Sequence, residues 1–147
     1  VQQAGETVVR GALAQELGCP DGTQWLRISS LRWMDDAHSA PIGWTDVYID
    51  PAYQEIGELA RTTPGVLISA LIEARHGRQI AEIHQDVRAF ALADEAMAQA
   101  LELAPGAPAL KIVRRYLDPE GELFVASVTV HPADRFSVSM KLQRSTH

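Results

Sequence analysis

The sequence has little cysteine and no long apolar run, and both absences limit what the chain is. Cys19 is the one cysteine in 147 residues, so neither an internal disulfide nor a CxxC metal knuckle is available. The longest apolar stretch, residues 66–72, falls well short of the ~20 residues that a membrane-spanning helix needs. The chain opens without the basic and apolar segments of a signal peptide. We therefore expect a cytoplasmic protein.

Sequence motifs for nucleophilic and phosphate chemistry are also missing. There is no GxSxG and no glycine-rich phosphate loop, and the cysteine lies in no catalytic motif. No two histidines have the HxxxH or HxH spacing that brings two metal ligands together on a helix or strand. The sequence therefore predicts neither a metal nor a cofactor. The five histidines are His38, His76, His84, His131 and His147.

The balance of charge argues against a surface that binds nucleic acid. Thirteen Lys and Arg stand against nineteen Asp and Glu, a formal net charge of −6 at pH 7. A surface that neutralises DNA phosphates needs the opposite sign. At 147 residues, 46% of them hydrophobic, the chain is long enough for one domain with a proper core, and we take residues 1–147 as that domain.

Hydrophobic periodicity predicts strands near both ends of the chain and helices between them. Gly18 and Gly77 are typical residues for ending a helix, and Asp94 for beginning one. The last three predicted strands follow one another through short links, which favours an antiparallel meander. We therefore predict an α+β fold with helices on an antiparallel sheet. The predicted strands are residues 25–33, 43–49, 80–91, 109–117, 123–131 and 136–142, and the predicted helices are residues 12–17, 51–59, 63–76 and 94–103.

Two predicted strand faces carry polar side chains of the types that take part in proton transfer or hydrogen bonding. Residues 82, 84, 86 and 88 form a charged row, which suits proton transfer or simply a face turned to water or to a partner subunit. In the strand at 123–131, Ser127, Thr129 and His131 share one face. That face suits hydrogen bonding to a ligand, and equally suits solvent exposure.

Several short segments, taken together and in order, carry a family resemblance over nearly the whole chain. Near the start these are Trp-Leu-Arg-Ile at 25–28, Leu31-Arg32, Pro41, and Gly77 before Ile80. Near the end they are Ala-Pro-Ala-Leu-Lys-Ile-Val-Arg at 107–114, Gly121, Phe124, Ser127 and Ala-Asp-Arg-Phe-Ser at 133–137. This pattern resembles the UbiC transcription regulator-associated (UTRA) domain.

The resemblance implies the effector-binding domain of a HutC-type regulator of the GntR family. It implies a chorismate-lyase-like fold, an antiparallel β-sheet flanked by helices, and a homodimer that binds a small-molecule effector. In such regulators a winged helix-turn-helix domain precedes this one and contacts DNA. The acidic charge and the missing initiator Met agree with a chain that lacks that domain.

By the same resemblance, Arg32 and Arg114 match family arginines that would anchor an anionic end through bidentate contacts. A structural ion pair is the alternative for each. Asp134 and Arg135 match an Asp-Arg signature that we interpret as fixing a turn. Trp44 is expected to form an apolar wall of the effector site. The side chains expected to orient the effector are Thr45, Ser127, Thr129 and His131.

The sequence departs from sugar-phosphate-binding members of the family. Ser30 stands where they tend to have a second arginine, and Thr45 and Val125 stand where they have glutamates. A less polar effector with one anionic or hydrogen-bonding end is therefore expected. Two other functions stay open. One is a chorismate-lyase-like enzyme, which the lack of acids at Thr45 and Val125 disfavours, and the other is a dimerisation module without a ligand.

Overall fold

Six antiparallel strands form one sheet in the computed structural model, which describes residues 3–33, 40–62 and 68–144. The strand order across the sheet is β1-β2-β3-β6-β5-β4. The α+β class predicted from the sequence is confirmed. The strands are β1 (Gln3–Val9), β2 (Thr23–Arg32), β3 (Gly43–Ile49), β4 (Glu82–Ala91), β5 (Pro108–Leu117) and β6 (Leu123–Pro132). The helices are α1 (Gly11–Leu17), α2 (Gln54–Thr62), α3 (Ile68–His76) and α4 (Glu95–Ala100), with a 3₁₀ turn at Pro51–Tyr53.

Helix ends follow local sequence signals closely. Gly18 after α1 has φ +74° and Gly77 after α3 has φ +65°, a conformation that glycine adopts without steric cost. The Asp94 carboxylate accepts a hydrogen bond from the Met97 N–H at 3.0 Å and begins α4. The helix cap predicted at Thr63 lies outside the described residues.

Two parts of the predicted topology are wrong. Residues 136–142 form no strand, and Val138, Met140 and Leu142 in this segment are exposed. The predicted meander is therefore absent, because β6 pairs with β5 on one side and with β3 on the other. β1 was not predicted, since its short sequence contains Gly5 and Glu6 and does not alternate clearly.

Helices cover the two faces of the sheet unequally. The α2–α3 face carries Leu26, Ile28, Ile49 and Val125, which form a buried core with Ile56 of α2 and Ile72 of α3. We call the other side the α1–α4 face, because α1 packs there around Trp25 and Tyr48, and α4 packs at the far end around Ala109 and Val130. The α2–α3 core lies at one end of the strands and leaves polar residues at the other.

Candidate functional site

Six of the seven predicted effector residues lie on the α2–α3 face. The pairing register of the strands places them there, because directly paired residues of antiparallel strands point to the same side of the sheet. Arg32 pairs with Gly43, Thr45 with Thr129, and Arg114 with Ser127. β6 lies in the middle of this group, since it is hydrogen-bonded to both β3 and β5. The six residues are Arg32, Thr45, Arg114, Ser127, Thr129 and His131.

The centre of this group is a pair of threonine hydroxyls. Thr45 Oγ1 and Thr129 Oγ1 lie 3.1 Å apart across β3 and β6, a distance typical of a hydrogen bond. Both side chains are half-buried. Ser30 pairs with Thr45 in the sheet, so a third hydroxyl extends the same row onto β2. The row offers both donors and acceptors to a polar ligand.

Arg32 and Arg114 flank the threonine pair from opposite corners. From the pairing register and ordinary strand spacings, each Cα lies roughly 8 Å from the nearer threonine Cα, while the two arginines are roughly 20 Å apart. Both side chains are exposed. Arg114 Nε donates to the neutral Gln85 Oε1 at 2.7 Å. Within residues 3–33, 40–62 and 68–144, neither guanidinium forms an ion pair.

His131 is held by contacts within the protein. Its Nδ1 lies 2.6 Å from the carbonyl oxygen of Ile42, to which the N–H tautomer donates. The Phe136 ring stacks on the imidazole with centroids 3.6 Å apart and a 4° interplanar angle. The side chain is buried, with 5% exposure. One nitrogen and one ring face are therefore occupied by contacts within the protein.

The environment of His131 favours the neutral imidazole. Burial lowers its pKa below the usual 6.5, because desolvation penalises the charged form. The hydrogen bond to Ile42 acts in the opposite direction, and the positive charges of Arg32 and Arg114 lower the pKa further.

Trp44 does not fit the role of a wall beside the six other residues. It follows Gly43 and precedes Thr45 in β3, so its side chain points to the α1–α4 face. There its indole Nε1 donates to Asp46 Oδ1 at 3.1 Å, and the Ser29 hydroxyl donates to the same carboxylate oxygen. Trp44 packs with the core around α4. The structure thus separates this residue from the site that the resemblance implied.

Gly43 and Gln85 belong to the same face but were not singled out from the sequence. A Cβ on Gly43 would lie 2.8 Å from His131 Nδ1, so the glycine makes room for the imidazole. Gln85 is the hydrogen-bond partner of Arg114. No local pattern marks either residue, because both contacts depend on which strands become neighbours.

A concave region lies on the opposite side of the sheet, on the α1–α4 face. It has a volume of about 490 Å³ and contains none of the predicted effector residues. Two of its three cations are paired with acids: Arg115 contacts Asp86 at 2.6 Å, and Lys111 contacts Glu16 at 3.4 Å. Arg88 is the third cation of the lining. The two acids make this region a weaker candidate for an anion than the α2–α3 face, on which β2, β3, β5 and β6 place no carboxylate. Its lining residues are Ala12, Gln15, Glu16, Asp86, Arg88, Lys111, Val113 and Arg115.

Arg135 links three segments of backbone. Its Nη1 donates to the carbonyls of Pro41 at 2.9 Å and Leu101 at 2.5 Å, and its Nη2 donates to that of Glu102 at 3.0 Å. The carboxylate of Asp134 is 3.9 Å from Arg135 Nε, a loose contact. These bonds hold the end of β6 against the C-terminal end of α4.

The described residues show neither a metal-binding cluster nor a membrane-spanning helix. Among the described side chains, no group of three or more His, Cys, Asp or Glu residues is placed to hold a metal ion. No helix in the described ranges has the length and apolar character needed to cross a membrane.

Solved structures with the same architecture come from bacterial transcription regulators. A GntR-family regulator from Enterococcus faecalis V583 has a TM-score of 0.77 at 20% identity, covering 96% of this chain and 97% of that one. The C-terminal domain of the histidine utilization repressor from Pseudomonas syringae pv. tomato DC3000 scores 0.74 at 18% identity, with 97% and 96% covered. A GntR-family regulator from Bacillus cereus scores 0.74 at 16% identity, with 95% and 99% covered. At these identities the likeness shows a shared fold.

The family follows from the sequence match. Residues 1–137 match the UTRA domain family, which is nearly the whole chain. No curated protein is similar enough to match. The match agrees with the segments at 25–32 and 107–137 that carried the resemblance. The chain belongs to the UTRA domain family, the ligand-sensing regulatory domains of GntR-type transcription regulators.

Proposed function

We propose that this domain binds a small molecule with an anionic end over the Thr45–Thr129 pair on the α2–α3 face. The observation that carries the proposal is the placement of Arg32 and Arg114. Two exposed guanidinium groups without ion pairs among the described residues stand on either side of a hydroxyl row. An arginine left without a protein carboxylate is available for bidentate contact with a ligand carboxylate or phosphate.

The charges on the neighbouring strands support an anion rather than a cation. On the α2–α3 face of β2, β3, β5 and β6, sequence alternation and register place no carboxylate. Glu6 of β1 is the acidic residue of this face nearest to them along the sheet. The aliphatic side chains of Val47 and Ile112 lie beside the hydroxyl row, so an effector with an apolar body and one anionic end fits.

The consequence of binding would be a change in DNA affinity. We propose that residues 1–147 form one effector-binding and dimerisation domain, that a separate domain contacts DNA, and that the chain itself catalyses no reaction. An effector shifts such a regulator only through different affinities for its conformations, typically ~1–3 kcal/mol of coupling. The net charge of −6 agrees with DNA contact through another domain.

Calorimetric titration tests the site. The 147-residue chain would be titrated with a panel of small carboxylates and phosphates, and the compound that binds would be repeated on Arg32→Ala and Arg114→Ala. Since a charged hydrogen bond contributes about 1.5–3 kcal/mol, each variant should bind about tenfold or more weakly. Arg10→Ala, an exposed arginine outside this face, is the matched control and should leave affinity unchanged.

Other outcomes would identify another function. Unchanged affinity in both Arg32→Ala and Arg114→Ala would move the effector away from this face. Release of pyruvate from chorismate would show the lyase activity instead. A chain that forms dimers but binds no compound would be a dimerisation module. The first result contradicts the proposed site, and the other two contradict the proposed sensor function.

A further inference from the structure

The concave region on the α1–α4 face lies between a helix and two strands. Its volume of about 490 Å³ is within the range of sites that bind small molecules. Ala12, Gln15 and Glu16 line it from α1, because the spacing i, i+3 and i+4 brings them to one side of that helix. The other lining residues belong to β4 and β5, and among them the buried Val113 supplies an apolar surface. The region therefore combines charged side chains with an apolar floor.

Two cations of this region are directly opposite each other in the sheet. Arg88 on β4 pairs with Lys111 on β5, and both side chains point to the α1–α4 face. Like charges in this arrangement repel. The Lys111 ammonium is stabilised by the Glu16 carboxylate at 3.4 Å and by the Phe90 ring, whose centroid is 5.0 Å away. Arg88 forms no ion pair with any part of the chain that the structure describes, so an anionic group of a ligand is the contact that it lacks.

Each of the two acids keeps one carboxylate oxygen for a further contact. Asp86 Oδ2 accepts from Arg115 Nη2 at 2.6 Å, and the Glu16 oxygen nearest to Lys111 is Oε2. Among the described residues, Asp86 Oδ1 and Glu16 Oε1 accept no hydrogen bond. The hydrogen bond from Arg115, together with its charge, holds the pKa of Asp86 below its usual 3.8, so this group is a carboxylate at neutral pH. Two acceptor oxygens are therefore available to an ammonium group.

The free donor and a free acceptor are close enough for one small ligand to contact both. Arg88 and Asp86 are two residues apart on the same face of β4, so their Cα atoms are roughly 7 Å apart. They form no ion pair with each other, since the Asp86 carboxylate contacts Arg115 instead. A simple anion in this region would lie beside two acids, and a simple cation would lie beside three cations. A ligand with both charges on neighbouring atoms avoids both repulsions.

We propose that this concave region binds a small zwitterion of the α-amino acid type. The ligand carboxylate contacts the Arg88 guanidinium, and the ligand ammonium group contacts the free oxygens of Asp86 and Glu16. The ligand side chain packs on Val113, and the exposed carboxamide of Gln15 offers it a hydrogen bond. This is a second ligand site, separate from the proposed effector site on the α2–α3 face.

NMR titration with three matched probes tests the requirement for both charges. L-Norvaline carries a carboxylate and an ammonium group, pentanoate lacks the ammonium group, and butylamine lacks the carboxylate. Dissociation constants would be taken from the amide signals of residues 12–16, 86–88 and 111–113 in the isotope-labelled 147-residue chain. L-Norvaline should bind about tenfold or more tightly than either other probe, because each of those loses a charged contact. Equal affinity for L-norvaline and pentanoate at these signals would show a plain anion site and overturn the proposal.

Two substitutions separate the two charged contacts. Arg88→Ala should weaken L-norvaline binding about tenfold or more, and unchanged affinity in this variant would overturn the site. Glu16→Gln should reduce the preference for L-norvaline over pentanoate, because the ammonium group loses one charged acceptor. Arg75→Ala removes an exposed arginine of α3, on the other side of the sheet, and should leave the affinity for L-norvaline unchanged. The amide signals far from the substitution report whether each variant keeps the wild-type fold.

The position of the shifted signals separates this site from the proposed effector site. Shifts confined to Arg32, Thr45 and Thr129 on addition of L-norvaline would place the probe on the α2–α3 face and overturn the second site. The absence of shifts around the concave region at millimolar L-norvaline would overturn it as well. Neither result affects the proposed sensor, which is tested by the titrations of Arg32→Ala and Arg114→Ala.

Discussion

The imidazole of His131 occupies the space that a side chain on Gly43 would fill. The two residues face each other across β3 and β6, and a Cβ on Gly43 would lie 2.8 Å from His131 Nδ1 and 2.9 Å from its Cε1. The glycine therefore allows the imidazole to reach the carbonyl of Ile42, and it determines the shape of one end of the candidate site.

Gly43→Ala should destabilise the domain. The added methyl group must displace the buried imidazole and break its hydrogen bond, and overpacking of this kind typically costs about 1–3 kcal/mol. Urea denaturation would measure the free energy of unfolding. Gly5→Ala in β1 is the control, because a Cβ there contacts nothing within 4 Å. Equal stability of Gly43→Ala and wild type would contradict the contact.

The pH dependence of the free energy of unfolding should reflect the lowered pKa of His131. Its folded-state pKa is lowered, chiefly by burial, so below the unfolded value of about 6.5 the unfolded chain binds more protons. The stabilisation present above pH 6.5 should be lost as the pH falls towards the folded pKa. Comparing urea denaturation of wild type and His131→Gln between pH 8 and pH 5 isolates this effect. A constant difference across that range would show that His131 titrates normally.

Asp118 should control stability in acid. Its carboxylate accepts from the backbone N–H of Glu122 at 2.8 Å and from Arg78 Nη2 at 2.9 Å, and it joins the β5–β6 turn to the segment after α3. The hydrogen bond from the Glu122 N–H lowers the pKa of Asp118 most, and the hydrogen bond from Arg78 lowers it further. Desolvation of the carboxylate opposes both effects. Its stabilisation is therefore present above the unfolded pKa, near 3.9, and is lost as the pH falls further.

Asp118→Asn tests this acid dependence. The variant should be less stable than wild type at pH 7, and the gap should narrow below pH 4, where the wild-type carboxylate becomes protonated. Circular dichroism during denaturation at several pH values would measure it. Asp134→Asn, an exposed carboxylate with one loose contact, should follow the wild-type profile.

The two tryptophans of the α1–α4 face should respond differently to the same substitution. Among the residues that the structure describes, Trp25 Nε1 is buried without a hydrogen-bond partner, whereas Trp44 Nε1 donates to Asp46. A buried unsatisfied donor costs about 1–3 kcal/mol, so removing it in Trp25→Phe should offset much of the lost packing. Trp44→Phe should cost more per unit of buried area, because Asp46 loses a donor. Thermal denaturation of both variants checks the order.

Most strand and helix positions could be predicted from the sequence. The placement of Trp44 beside the other site residues was wrong, although the sequence contained the information to avoid it. Five of the six strands and the ends at Gly18, Gly77 and Asp94 depend on local periodicity and capping, which neighbouring residues dictate. Side chains alternate between the two faces of a strand, so the sequence already predicts that Trp44 and Thr45 point to opposite faces of the sheet. The strand predicted at 136–142 failed because alternation alone does not provide a neighbouring strand to pair with.

The amino-acid sequence by itself determined which residues share a strand face, where the helices end, and the family to which the chain belongs. The tertiary structure decided which strands became neighbours. Insertion of β6 between β3 and β5 brings Thr129 to Thr45, Ser127 to Arg114 and His131 to Gly43. Local physics sets the side to which a residue points, but pairing of distant strands depends on the packing of the whole chain. The residues of the candidate site come together only once that pairing is made.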